Sequence, residues 1–108
     1  MKRGEVWWVN FDPAIGGEIR KTRPAIIVSN DAANEHMSRV QVVPLTSNAG
    51  RFYPCECPVA IAGKNSKAMA DQIMTVSKKR LYDRLGTVSA EDMEAVEQVI
   101  RIQLGLGV

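Results

Sequence analysis

The chain has 108 residues, 45% hydrophobic and 24% charged, with 14 Lys and Arg against 12 Asp and Glu for a formal net charge of +2. This is ordinary globular usage, which excludes a disordered or fibrous protein, and the length predicts one domain over residues 1–108. A pI near 8.7 points only weakly to a nucleic-acid partner, so any basic patch has to be local. No apolar run would span a bilayer and no secretory segment follows Met1-Lys2-Arg3, so a cytoplasmic protein with no membrane partner is expected.

In chain order, Gly4 to Phe11 is rich in valine and aromatics and predicts a first strand, ended by Asp12-Pro13. Ala14 to Thr22 predicts a loop, and Pro24 biases Arg23 toward extended backbone. Ala25 to Ser29 predicts a second strand, with Ile26, Ile27 and Val28 pointing to burial on both faces. Asn30 to Arg39 is polar and predicts a loop with room for one helical turn. Val40 to Leu45 predicts a third strand, with Pro44 implying an edge or a bulge, and Thr46 to Gly50 has turn chemistry. Cys57 to Ile61 predicts a fourth strand, closed by Gly63-Lys64-Asn65, and Ala68 to Val76 a fifth.

Ser77 to Leu81 reads as a short helical turn, and Gly86-Thr87-Val88 leads into the final element. There Ser89 is placed as N-cap, with Asp92 three residues on. Met93, Val96, Ile100 and Leu104 form one apolar stripe at helical period, and Gly105 is the C-cap. Short strands followed by one helix predict a mainly β fold, an antiparallel sheet closing into a small barrel with a C-terminal α-helix.

Common catalytic signatures such as the P-loop, GxGxxG, HExxH and GxSxG do not occur. Cys55 and Cys57 are expected to be reduced, and with His36 the only histidine no metal site is expected. His36 lies in a polar segment and reads as solvated, as does Lys78-Lys79-Arg80.

Three stretches can carry chemistry. Glu18-Ile19-Arg20-Lys21-Thr22-Arg23 sets three cations and one acid at the exit of a glycine loop; it fits phosphate contact, with Arg23 suited to a bidentate grip, but also a solvated charged loop, the usual fate of such a run. Thr46-Ser47-Asn48 can hydrogen-bond phosphate or bases, or its own turn. Asp71-Gln72 interrupts an apolar stretch and must be satisfied, either by substrate or as a structural anchor. Trp7 and Trp8 point to opposite faces of their strand, one toward the core and the other open to base stacking or a dimer contact.

Four ordered motifs, Arg3-Gly4-Glu5-Val6-Trp7-Trp8-Val9 with Asp12-Pro13, Lys21-Thr22-Arg23-Pro24-Ala25-Ile26-Ile27-Val28-Ser29-Asn30, Pro44-Leu45-Thr46-Ser47 and Asp71-Gln72-Ile73, resemble the MazF/PemK family over nearly the whole chain. Arg80-Leu81, Gly86 and the closing helix extend the pattern. The resemblance implies an SH3-like small barrel of the MazF/PemK/CcdB type and a homodimer. It implies a type II toxin that cuts single-stranded RNA at short preferred sequences without metal or cofactor, and a separately encoded antitoxin partner.

It also implies catalysis by Arg23 and Thr46, with Glu18 in substrate contact or proton transfer. Arg20, Lys21, Thr22, Ser47 and Asn48 would hold RNA, with Asp71 and Gln72 close to it. Two other activities on this fold remain open. One is poisoning of a protein target such as DNA gyrase; the other is a non-catalytic SH3-like module that binds nucleic acid or protein.

Overall fold

The computed structural model describes residues 1–18, 21–47 and 50–107. Among these residues seven strands form an antiparallel sheet, β1 (Glu5–Asn10), β2 (Thr22–Ile27), β3 (Arg39–Thr46), β4 (Glu56–Ile61), β5 (Lys64–Met69), β6 (Met74–Ser77) and β7 (Leu81–Thr87), with helices α1 (Asp31–His36) and α2 (Ala90–Leu104). The strand order is β4-β5-β3-β2-β1-β7, and β6 also pairs with β3. The sheet curls so that its outer strands meet through side chains. A Cβ at Gly86 of β7 would stand 3.1 Å from Cδ1 of Ile61 on β4, so a side chain there would press Ile61 back by a few tenths of an ångström. This is the mainly β architecture with a closing helix that the sequence predicts.

The middle strands are apolar on both faces because both faces are covered. Val6, Ile26, Val43, Leu45, Val59 and Ala68 face an inner cluster closed by Met93, Val96 and Val99 of α2. Val9, Phe11, Ala25, Ile27, Val40, Val42, Val76 and Leu81 form a second cluster on the opposite face. Alternation on β2 therefore sends Ile26 inward and Ala25 and Ile27 outward, as period-two strand geometry requires.

Local chemistry explains the helix ends. The Ser89 side chain accepts from the Asp92 N–H, and Gly105 takes a left-handed φ of 67° that lets its N–H close on the last turn. Asp92 then reaches across to β4, where its Oδ2 accepts from the Ala60 N–H at 3.0 Å. The α1 turn is capped by Asn30, whose side chain accepts from the Ala33 N–H, and His36 ends that helix exposed to solvent.

Glu5 ties β1 to β7. It accepts from the Lys2 N–H and Trp7 Nε1 and pairs with Arg84 Nε at 3.2 Å. Burial raises its pKa, but these hydrogen bonds and the neighbouring cations outweigh burial and hold it below the usual value. The pair's contribution to stability is therefore present above the ordinary carboxylate range and is lost as pH falls through it.

Several expectations are corrected. Ala68 to Val76 is not one strand: β5 ends at Met69, a 3-10 turn occupies Ala70–Gln72, and β6 begins at Met74. The first half of β5 starts at a two-residue hairpin, Ala62-Gly63, both in left-handed backbone, a turn whose twist suits paired strands. Strand β7 is not predicted: Leu81 falls at the end of the expected helical turn and only Gly86-Thr87 in the expected lead-in, because Tyr82, Asp83 and Arg84 are all exposed and show no alternation.

Pro44 is neither at an edge nor in a bulge. It pairs with Ala25, and its other side falls where β3 changes partner from β6, last paired at Val42, to β5, first paired at Leu45. The α2 stripe also closes differently: Val99 is buried, Ile100 is half-buried, and Leu104 stands 51% exposed. No helix among the described residues is long and apolar enough to cross a membrane.

Candidate nucleic-acid site

Strand register assembles the site. On β2, Arg23 shares a face with Ala25 and Ile27, the side of the outer cluster. On β3, Thr46 shares that face with Val42. Ala25 stands opposite Pro44, and two residues further along each strand this register leads to Arg23 and Thr46. Thr46 in turn stands opposite Lys67 of β5. One row across three strands thus carries Arg23, Thr46 and Lys67.

Arg23 is half-buried, and its Nε is a buried donor with no hydrogen-bond partner among the described residues. An unpaired buried donor costs about 1–3 kcal/mol. An anionic oxygen brought against that donor would relieve the cost.

Two clefts are lined by candidate residues. The larger, about 370 Å³, is walled by Trp8, Pro24, Leu45, Ile61 and Leu85, with Thr22, Arg23, Thr46, Ser47, Lys64 and Ser66. Its apolar walls belong to the inner face, whereas alternation turns the Arg23 and Thr46 side chains toward the outer one. The smaller, about 200 Å³, is lined by Phe11, Pro13, Ala14, Glu18, Asp71, Gln72, Ile73 and Met74. Phe11 and Met74 pack on the outer cluster, so this cleft lies on the Arg23 and Thr46 side despite its smaller volume. Met74 is opposite Val42, four residues from Thr46, and at about 3.3 Å per residue the two ends lie within about 13 Å along β3.

The first loop is closed at its base. Lys21 holds a left-handed φ of 62°, its N–H donates to Asp12 Oδ1 at 2.9 Å and its carbonyl accepts from the Phe11 N–H. Arg80 Nη1 donates to the carbonyls of Asn10 and Asp12, so it serves the loop rather than standing as a solvated cation. Within the loop, Glu18 Oε1 accepts from the Ile15 N–H at 2.7 Å. Gln72 Nε2 approaches the Gly17 carbonyl at 3.4 Å, linking the 3-10 turn to this loop.

The predicted residues therefore divide. Arg23 and Thr46 share a face; Glu18, Asp71 and Gln72 line the cleft on that side; Thr22 and Ser47 are exposed at the larger cleft, and Lys21 is exposed at the loop base. Arg20 and Asn48 lie outside the described residues. Asp71-Gln72 sits in the 3-10 turn, with Asp71 exposed, so it is not a polar pair that a strand interior must satisfy.

Neither tryptophan is fully exposed. Trp7 packs against the outer cluster and Trp8 walls the larger cleft. Sequence reasoning did not single out Lys64, Ser66 or Lys67; a lone lysine in a strand of mixed polarity gives no signal until the register places it opposite Thr46. The cysteines are free, and burial pushes the Cys57 thiol up to about 11, so it is protonated at neutral pH. Among the described residues no three His, Cys, Asp or Glu side chains converge as a metal site would need.

Comparisons with known proteins show the family and the fold. The chain is 36% identical over 115 residues to the endoribonuclease MazF9 of Mycobacterium tuberculosis, covering 98% of each protein. Its structure is similar to that of an endoribonuclease in complex with its cognate antitoxin from a mycobacterial species, at a TM-score of 0.84 and 28% identity, covering 100% of this chain and 98% of that one. It is also similar to MazF from Deinococcus radiodurans, at a TM-score of 0.87 and 27% identity, covering 97% and 96% of the two chains. Residues 2–104 match the family model described as PemK-like, MazF-like toxin of type II toxin–antitoxin system, and the chain belongs to that family.

Proposed function

We propose that this toxin is an endoribonuclease that cuts single-stranded RNA, mRNA included, by attack of a ribose 2′-hydroxyl on the adjacent phosphate. The O2′–P bond forms as the P–O5′ bond breaks. The 2′-hydroxyl proton passes to a base, the leaving O5′ takes up a proton, and the products are a 2′,3′-cyclic phosphate and a 5′-hydroxyl. The observation that carries this reading is the buried, unpartnered Nε of Arg23 on the face it shares with Thr46.

This reaction needs in-line geometry, charge stabilisation and proton transfer, all within reach of side chains. Arg23 is assigned to the charge that develops on the phosphorane. It is not the base, because a guanidinium stays protonated in proteins. Thr46 donates its hydroxyl to a phosphate oxygen. Glu18 is assigned as the proton acceptor, its Oε1 accepting from the Ile15 N–H in the first loop. Lys21, Thr22 and Ser47, with Arg20 and Asn48, hold the RNA backbone, and Asp71 and Gln72 contact a base from the second cleft.

The partners follow from the same reading: a cognate antitoxin that neutralises the toxin in the cytoplasm, and a second copy of the chain. The exposed Ile102, Leu104 and Leu106 at the end of α2, 48%, 51% and 70% accessible, suit an apolar dimer contact. Purified protein is expected to cleave long single-stranded RNA in EDTA and to leave 5′-hydroxyl ends that polynucleotide kinase can label. Intact RNA after incubation with folded protein would reject the proposal.

A further inference from the structure

Residues 51–53 are held in an unusual way. Lys67 is 7% exposed, yet it carries a charge. Its Nζ pairs with Glu56 Oε1 at 3.2 Å and donates to the Arg51 carbonyl at 3.0 Å. The same Glu56 Oε1 accepts from the Tyr53 N–H at 2.9 Å, and the Glu56 N–H returns to the Tyr53 carbonyl. Burying an ion pair is costly unless its remaining hydrogen-bonding capacity is used, and here it is used on backbone that forms no helix or strand. The pair therefore ties residues 51–53 to β4 and β5.

The side chains so fixed are two exposed aromatics and a cation. Phe52 is 42% and Tyr53 54% exposed. Lys67 Nζ lies 5.5 Å from the Phe52 ring centre, and the Arg51 guanidinium 5.3 Å from that of Tyr53. Lys67 stands opposite Thr46, so this surface adjoins the proposed reacting phosphate. Ordered, exposed rings backed by cations suit stacked bases on a polyanion, since every base has a π-face.

We propose that Lys67 is a positioning residue that holds Arg51, Phe52 and Tyr53 as a platform on which a nucleobase of the bound RNA stacks. The proposal deepens the RNA-cleaving reading and rests on it. Its occupant is single-stranded nucleic acid, because Arg51 adds a cation to the two rings and the platform is continuous with the row of Arg23 and Thr46.

The test measures binding of a short fluorescent RNA by anisotropy, with cleavage of the same RNA followed in parallel. A set of oligonucleotides, each with one abasic residue, locates the stacked base. Phe52→Ala/Tyr53→Ala is expected to weaken binding about ten-fold. One abasic position should weaken wild-type binding by a similar factor and have no further effect on that variant. Lys67→Met/Glu56→Gln, which removes the ion pair without stranding a charge, should lose the same abasic sensitivity, and Lys67→Arg should retain it.

Wild-type affinity and abasic sensitivity in the aromatic variant would overturn the platform even if RNA is cut. RNA bound but never cut would sink the nuclease reading while leaving the platform tested by affinity. If the aromatic variant bound RNA normally but failed to bind the antitoxin, the surface would be a protein-docking site and the proposal would fall.

Discussion

Arg23→Ala is expected to lower the rate of RNA cleavage by at least about 10²–10³-fold, the loss seen when one preorganised donor to a transition-state oxyanion is removed. The folded state should tolerate the change. Arg23 lies on a strand whose buried apolar contacts begin at Ala25, and its Nε has no native hydrogen bond to lose among the described residues. A thermal midpoint within a few degrees of wild type, beside lost cleavage, is the expected pair of results. Arg23→Lys should recover little, because an ammonium lacks the planar fork that grips two phosphate oxygens. Single-turnover cleavage of a labelled RNA, with a melting curve on the same sample, makes the comparison; an active Arg23→Ala protein would remove Arg23 from the mechanism.

Ile26→Ala should have the opposite signature. Ile26 is wholly buried, opposite Val6 on β1 and Val43 on β3, in the inner cluster that α2 closes. Truncation removes apolar contact and leaves a cavity, for a loss of about 2–5 kcal/mol. Domains of this size hold only about 5–15 kcal/mol in total, so the thermal midpoint should fall by roughly 10 °C or more. Below that transition, the side chains of the outer face keep their strand register. Cleavage measured well under the midpoint should therefore stay near wild type, which separates loss of fold from loss of chemistry. An unchanged midpoint would contradict the packing described for β2.

The sequence was informative where one local rule governs the outcome. The α2 caps at Ser89 and Gly105, the burial of Ile26 and Ile27 on opposite faces of their strand and the mainly β class all follow from propensity, capping and period. It was silent where the outcome depends on pairing. Pro44 signals an edge or a bulge on a local reading, yet it sits in the middle of the sheet because β3 changes partner beside it. β7 has no alternation to read, because it is an outer strand whose Tyr82, Asp83 and Arg84 all face solvent.

The candidate site shows the same division. The motif containing Arg23 is visible as a string, but its unpartnered Nε and its face shared with Thr46 come from register and burial. Lys67 was invisible for the same reason. Its role depends on standing opposite Thr46 and reaching back to Arg51 and Glu56, contacts between residues 11 to 21 positions apart.

The most direct test of the mechanism is a substrate with a single 2′-deoxy residue at the mapped cleavage site, everything else being RNA. If the 2′-hydroxyl is the nucleophile, this RNA should bind with nearly unchanged affinity and resist cutting at that position while neighbouring control sites are still cleaved. Cleavage of the deoxy-substituted bond at the normal rate would contradict 2′-hydroxyl attack and, with it, the roles proposed for Arg23, Thr46 and Glu18.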